Sequence, residues 1–183
     1  MPVPVVVAAT LQFLLAATFL AVPLAVHTHG DRVQRAAEGV LARHGVPAEA
    51  LAKHRIKFAE SVLELMFPVS IAVVLLALGG LVLGGVGAGR ILSWGAAGLL
   101  LTGGGLVTGS QVFARRVVVT VLRRSADPAV RGLDGGAVAD AAAQAFPAWL
   151  RPVILIRFAL TTLGSLLVIV LLATPAAGVY FGG

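Results

Sequence analysis

The stretch VPVVVAATLQFLLAATFLAVPLAV, residues 3–26, decides the fold because it is uncharged and as long as a membrane crossing. A bilayer core of about 30 Å is crossed by about 20 residues of α-helix. In lipid each backbone amide needs a partner within its own segment, so such a run predicts a helix. The run lacks a basic N-terminal flank and exceeds the apolar region of a signal peptide, about 7–15 residues. We therefore expect an uncleaved membrane helix.

Three further apolar stretches have the same character, and the composition of the whole chain agrees with them. The predicted spans cover residues 3–26, 65–89, 91–114 and 153–174. Of the 183 residues 58% are hydrophobic and 12% are charged, with a mean hydropathy of +0.99. A soluble domain carries about 25% charged residues. The sequence therefore predicts an all-α integral membrane protein in which residues 1–183 form one four-helix transmembrane domain.

The basic residues indicate how the spans are oriented. Arg90 lies between spans two and three and Arg157 near the start of span four, whereas the others fall in two loops, residues 27–64 and 115–152. These others are Arg32, Arg35, Arg43, Lys53, Arg55, Lys57, Arg115, Arg116, Arg123, Arg124, Arg131 and Arg151. By the positive-inside rule both loops are cytoplasmic and both termini lie outside. The formal charge of +6 thus reflects topology, and we expect no nucleic-acid partner.

The two long loops contain short amphipathic patterns. From Asp31 onward apolar residues recur at helical spacing, which predicts a helix lying on the membrane surface. Gly45 is placed to end that helix, and Pro47 to begin another that runs into span two. In the second loop residues 140–146 predict a short Ala-rich helix. The loops are therefore expected to be partly folded.

Four histidines raise the question of a metal site. His27, His29, His44 and His54 all fall in the first loop. A zinc site needs three or four converging ligands, and two histidines two apart on a helix point roughly 200° apart. The favoured interpretation is that they are polar residues at the membrane interface. A metal site built on His27 and His29, or a pH-sensing role, are the alternatives, and no cofactor is predicted.

Ionisable residues near the spans are few. Glu64 and Arg157 are predicted at similar depth, so they are candidates for an ion pair that locks two helices together. The alternative is that Arg157 extends to the lipid headgroups and Glu64 caps its helix.

Glycine spacing predicts close helix packing. G-x-x-x-G pairs occur at Gly80 and Gly84, Gly85 and Gly89, and Gly105 and Gly109, and small residues at this spacing let helices approach closely. We expect these faces to join spans two and three within the chain, with dimerisation as the alternative.

Two arginine pairs follow span three. Arg115, Arg116, Arg123 and Arg124 are predicted to contact anionic lipid headgroups, and an acidic protein partner is the alternative.

No residue set predicts catalysis. Cysteine is absent, and no serine has a histidine and a supporting acid nearby in the sequence. Twelve arginines against two lysines, without asparagine, are typical of a GC-rich bacterial genome. The sequence favours a small inner-membrane protein with a non-catalytic accessory, scaffold or assembly role. Its partners would be anionic lipid and a membrane protein or a second copy of itself. A small transporter or channel, possibly for metal ions, is the alternative, and a lipid-modifying enzyme ranks third.

Overall fold

The computed structural model describes residues 1–54, 56–58 and 62–182, and within these ranges every regular element is helical. The elements in chain order are α1 (Val3–Arg43), α2 (Glu49–Lys53), α3 (Val62–Leu83), α4 (Gly87–Leu99), π1 (Leu100–Gly104), α5 (Gly105–Val112), α6 (Ala114–Arg123), α7 (Pro128–Arg131), α8 (Gly135–Ala145), α9 (Leu150–Ala159), π2 (Leu160–Gly164), α10 (Ser165–Leu172) and α11 (Pro175–Tyr180). Arg55, one of the basic loop residues, lies outside the described ranges.

Four helices are long and apolar enough to cross a membrane, which confirms the predicted number. They are called spans one to four and comprise Val3–Arg43, Val62–Leu83, Gly87–Val112 and Leu150–Leu172. Each has few charged residues in its apolar window, as expected from the sequence. The bundle has two ends: the basic end, which carries α2 and α6–α8, and the hairpin end, where spans two and three join.

Span one is longer than predicted. A single helix of 41 residues continues from Val3 to Arg43, so the separate surface helix predicted from Asp31 is wrong. The apolar spacing after Asp31 is real, but it continues the face of the same helix, with Val33 and Ala37 fully buried. The predicted stop at Gly45 is confirmed, because Gly45 has a φ of +68° after the C-cap residue His44.

The link to span two also differs from the prediction. The short helix α2 ends at Lys53, so the helix predicted to run from Pro47 into span two is wrong. The Ile56 N–H donates to the Leu51 carbonyl at 2.9 Å, and the Ile56 side chain is buried. Burial of this side chain turns the chain out of the helical path.

Spans two and three join at residues 84–86 rather than at Arg90. Gly85 adopts a φ of +69°, a left-handed conformation that glycine accepts without steric cost. The Gly85 N–H donates to the Val82 carbonyl at 3.2 Å, which closes the turn. The continuous apolar sequence hides this turn, and Gly85 and Gly89 therefore do not lie on one helix as predicted.

Side-chain hydrogen bonds tie the hairpin end together. The Tyr180 hydroxyl donates to the Leu83 carbonyl at 2.6 Å, and the Trp94 indole donates to the Ile169 carbonyl at 3.2 Å. Arg90 Nε donates to the Leu172 carbonyl at 2.9 Å, and its guanidinium carbon lies 4.9 Å from the Trp94 ring centroid. The Leu83 and Leu172 carbonyls are the last of spans two and four and lack helical partners, so these bonds satisfy them. The Ile169 carbonyl also accepts from the Ala173 N–H at 3.1 Å.

The basic end is folded around its own apolar core. Helix α8 packs against both α1 and α6. The fully buried side chains there include Val33, Leu41, Leu122 and Val138. Asp134 caps α8 by accepting from the Gly136 N–H at 2.8 Å, so the helix begins earlier than the predicted residues 140–146.

Candidate functional site

A cavity of about 620 Å³ opens where spans two and three diverge. Helix α3 packs along α1 and, near the hairpin, against α4, whereas α5 packs against α9. The space between the first half of α3 and the second half of span three is therefore left open. Most of its lining is apolar, and the polar groups of the lining include Glu64, Gln111 and Arg157.

Arg157 is the charged residue buried in this lining. It lies seven residues after the start of α9, and only 4% of it is exposed. Its guanidinium carbon is 4.2 Å from the centroid of the Phe19 ring, and its carbonyl accepts from the Thr161 hydroxyl at 2.7 Å. The side chain is thus turned into the bundle and does not extend outward along the surface.

Two π-helical turns pack against each other near the cavity, and the first of them lines it. They are π1 in span three and π2 in span four, and they face each other closely. A Cβ built on Gly104 would lie 2.9 Å from the Thr161 Cγ2 atom. Single π turns within α-helices occur frequently at functional sites. Sequence reasoning missed them, and the only shared signal is the Leu, Thr and Gly content of LLTGG and LTTLG.

Glu64 and Gln111 also line the cavity. The Glu64 carboxylate accepts from Lys57 Nζ at 2.9 Å, and both side chains are about half exposed. Glu64 and Arg157 line the same cavity, and their predicted ion pair stays a prediction. The Gln111 Oε1 atom is buried and has no hydrogen-bond partner among the residues that the structure describes.

Gln111 also borders a second cavity of about 620 Å³, between α5, α6, α8 and α9. Arg115 and Asp140 lie on its rim and form an ion pair with an Nε–Oδ1 distance of 2.9 Å. The hydrogen bond from Arg115 lowers the pKa of the Asp140 carboxyl, and the same bond raises the pKa of Arg115. Because both side chains are exposed, water screens this pair.

The structure places the histidines apart. His27 and His29 lie within α1, where their spacing turns them to different sides of the helix. His29 Nδ1 is 3.0 Å from the Ala25 carbonyl, His44 Nδ1 is 2.9 Å from the Val40 carbonyl, and His54 Nε2 is 3.0 Å from the Ser125 hydroxyl. Among the described residues, no group of three or more His, Cys, Asp or Glu could hold a metal ion. The metal hypothesis for His27 and His29 stays a prediction, with no third ligand in the described part.

The predicted packing glycines differ in what they contact. A Cβ on Gly89 would lie 2.7 Å from the Leu81 Cβ across the hairpin, which is a close helix approach. Gly105 and Gly109 face span four rather than span two. Gly80 faces open space, because a Cβ built there has no described atom within 4 Å. A Cβ on Gly84 would contact only atoms of the hairpin itself, in Gly80, Leu81 and Val86.

The four arginines after span three are exposed. Arg115 pairs with Asp140, and the Arg116 guanidinium carbon lies 5.8 Å from the Phe113 ring centroid. Arg123 and Arg124 end α6. Contact of these residues with lipid headgroups stays a prediction.

Comparison of the chain with known protein families, with characterised proteins and with solved structures finds no match. Its function therefore has to be inferred from its own residues.

Proposed function

We propose that this chain is a multi-pass protein of a bacterial inner membrane, with both termini outside and its basic end in the cytoplasm. The charge distribution supports this orientation. Among the described residues, Arg90 is the only lysine or arginine at the hairpin end, whereas the others, apart from Arg157, lie at the opposite end. Basic residues close to spans favour the cytoplasmic side.

Its role, in the same proposal, is non-catalytic: an accessory, scaffold or assembly protein that presents the basic end to a partner. The observation that carries this role is the apolar core under that end. Because α8 is packed between α1 and α6, the exposed arginines are held at fixed positions on a folded surface. Arg32 and Arg35 lie on α1, and Arg116 and Arg123 lie on α6. A fixed array of charges favours recognition of an acidic partner.

A small transporter or channel is the second candidate, and the cavity beside Arg157 is the observation in its favour. Transport needs a path between both sides of the membrane. The bonds from Tyr180, Trp94 and Arg90 hold spans two, three and four together at the hairpin end. A transport path through that end would have to part these spans, so the bonds support the accessory role. Zinc uptake into proteoliposomes is expected to equal that of protein-free vesicles. Uptake that depends on His27 and His29 would favour the transporter instead.

Orientation is tested by labelling single cysteines, since the natural chain has none. Ala176→Cys places a thiol on the exposed face of α11, and Ala126→Cys places one at the basic end. In intact cells a membrane-impermeant maleimide should label position 176 at once and position 126 only after permeabilisation. The reverse pattern, or labelling of both, would contradict the proposed orientation.

Partner binding is tested by photocrosslinking in living cells. A photoreactive amino acid at Arg123 is expected to give one discrete adduct, and the same group at Gly95, on the exposed face of α4, should give none. Adding Arg116→Glu should weaken the adduct because it replaces a positive charge on the same helix by a negative one. Equal adducts at both positions, or none at Arg123, would exclude this surface as the docking site.

A further inference from the structure

A small cavity lies in the interior of the bundle, and each of the four spans contributes to its walls. The lining includes Gln12 on span one, Leu75 on span two, Ala97 on span three and Ser165 on span four. Gln12 lies about 14 Å along span one from Val3, at 1.5 Å per residue. In a membrane that depth is close to the centre of a hydrocarbon core of about 30 Å. The cavity therefore lies far from bulk water on either side.

Gln12 leaves one polar atom for this cavity. The residue is 3% exposed, and its Nε2 atom donates to the Ser93 hydroxyl at 2.8 Å. Ser93 lies outside the cavity lining. The Gln12 Oε1 atom is buried and has no hydrogen-bond partner among the residues that the structure describes. An amide oxygen without a partner is costly in an apolar interior, so we expect a partner from outside the chain.

Ser165 supplies a second polar group to the lining. It is almost fully buried and begins α10, directly after π2. Its N–H donates to the Leu160 carbonyl, five residues earlier, as in a π turn, and both Leu160 and Gly164 line the cavity. A serine hydroxyl has one donor and two acceptor lone pairs. The π turn in span four thus borders the cavity beside a hydroxyl that can donate or accept.

The size and the chemistry of this cavity select a water molecule. The space open to the centre of a water-sized sphere is about 10 Å³, and roughly 10–15 Å³ holds one water. A buried water bonds to about two to four polar groups, and Gln12 and Ser165 provide two. The described lining residues are all uncharged, so the cavity offers an ion no counter-charge. Water also suits either orientation of the Gln12 amide, because it can donate to the oxygen and accept from the nitrogen.

We propose that this cavity binds one water molecule, which donates to Gln12 Oε1 and bonds to the Ser165 hydroxyl. The water joins span one to span four near the centre of the bundle. It also satisfies the amide oxygen that the chain itself leaves without a partner. This inference is independent of the proposed accessory role.

A crystal structure of the full chain, grown in a lipid phase and resolving ordered water elsewhere, tests the proposal. One water should lie about 2.5–3.0 Å from both Gln12 Oε1 and Ser165 Oγ. Ser165→Val should remove it, because two methyl groups replace the hydroxyl and fill the space. Gln12→Leu should remove it too, because the acceptor is lost. Ser110→Val is the matched control and should retain the water, since Ser110 is exposed on span three and outside the lining.

Glutamine side chains give an independent measurement in solution. The chain has four glutamines and no asparagine, so few side-chain amide signals appear in its NMR spectrum. The Gln12 NH₂ protons should show a cross-peak to a long-lived water, which Ser165→Val removes and Ser110→Val keeps. If the cross-peak persisted in folded Ser165→Val, it would come from the Ser93 hydroxyl, and the proposal would be overturned.

A cavity without water in the natural chain would overturn the proposal, as would an acyl chain or a side chain filling the space. Water retained in Gln12→Leu would show that the amide does not hold it, with the same consequence. If neither variant folds, the crystal structure of the natural chain decides alone.

Discussion

The guanidinium carbon of Arg157 on span four lies 4.2 Å from the ring centroid of Phe19 on span one. Both residues are almost fully buried, with exposed fractions of 4% and 3%. A cation over an aromatic face is attracted by the ring quadrupole, by about 2 kcal/mol when both are desolvated. This contact joins two spans and holds the charged group in the cavity lining.

Replacing the ring should therefore destabilise the bundle. Phe19→Leu keeps an apolar side chain but removes the π face, and we expect it to lower the free energy of unfolding by about 1–2 kcal/mol. The measurement is unfolding in mixed detergent micelles, followed by circular dichroism. Phe67→Leu is the matched control, because Phe67 lines the same cavity but is 69% exposed. If Phe19→Leu and Phe67→Leu lowered the free energy of unfolding equally, the contact between Arg157 and the Phe19 ring would not stabilise the bundle.

Two glycines on α4 should respond in opposite ways to the same substitution. At Gly89 a Cβ would lie 2.7 Å from the Leu81 Cβ and 3.0 Å from the Leu81 carbonyl carbon, so Gly89→Ala forces the hairpin apart. Overpacking of this kind costs about 1–3 kcal/mol. At Gly95 the same Cβ meets open space, and Gly95→Ala should be neutral or stabilising by up to about 1 kcal/mol. Thermal unfolding in detergent compares the two, and a stable Gly89→Ala variant would contradict the close approach.

A buried polar pair links span one to span three. Gln12 Nε2 donates to the Ser93 hydroxyl at 2.8 Å, and both residues are at least 97% buried. Ser93→Ala leaves the amide donor without that partner and should cost about 1–3 kcal/mol. Adding Gln12→Leu should recover most of this loss, because both polar groups are then gone. A double-mutant cycle of unfolding free energies measures the coupling, and simple additivity would show that the bond contributes nothing.

The pair of Arg115 and Asp140 should make the basic end sensitive to acid. Because the hydrogen bond from Arg115 lowers the folded-state pKa of Asp140, the pair stabilises the fold above the unfolded carboxyl pKa. That contribution disappears as the pH falls through the folded-state value. An NMR titration of the Asp140 carboxyl should show a pKa below the ordinary range, and Arg115→Gln should raise it. Arg131→Gln, on α7, should leave the titration unchanged.

The helices could be predicted because their signals are local. An uncharged run of about 20 residues can satisfy its backbone in lipid only as a helix, whatever surrounds it. The stop at Gly45 was also local, since a glycine in the left-handed conformation ends a helix without strain. The turn at Gly85 was missed because the sequence from Gly84 to Gly89 offers several glycines. The Tyr180 ring, 95 residues later, lies beside this turn, 3.3 Å from where a Cβ on Gly85 would be, and this is a tertiary feature.

The site was predicted only in part. Arg157 and Glu64 could be identified because ionisable residues are rare near the spans. Phe19, whose ring lies against the Arg157 guanidinium, could not be identified from the sequence. Nothing in the sequence of span one distinguishes it from Phe13. The histidines attracted attention as a pair, but the long α1 helix places them on different sides.

The sequence by itself determined that the chain forms four apolar helices with its basic residues, apart from Arg90, gathered at one end. Those properties follow from hydrophobicity and charge, which each segment carries independently of its neighbours. Only the tertiary structure decided that spans two and three diverge and that Arg157 turns inward onto Phe19. These features depend on which helix faces meet, and residues far apart in the chain have to pack together before such faces exist.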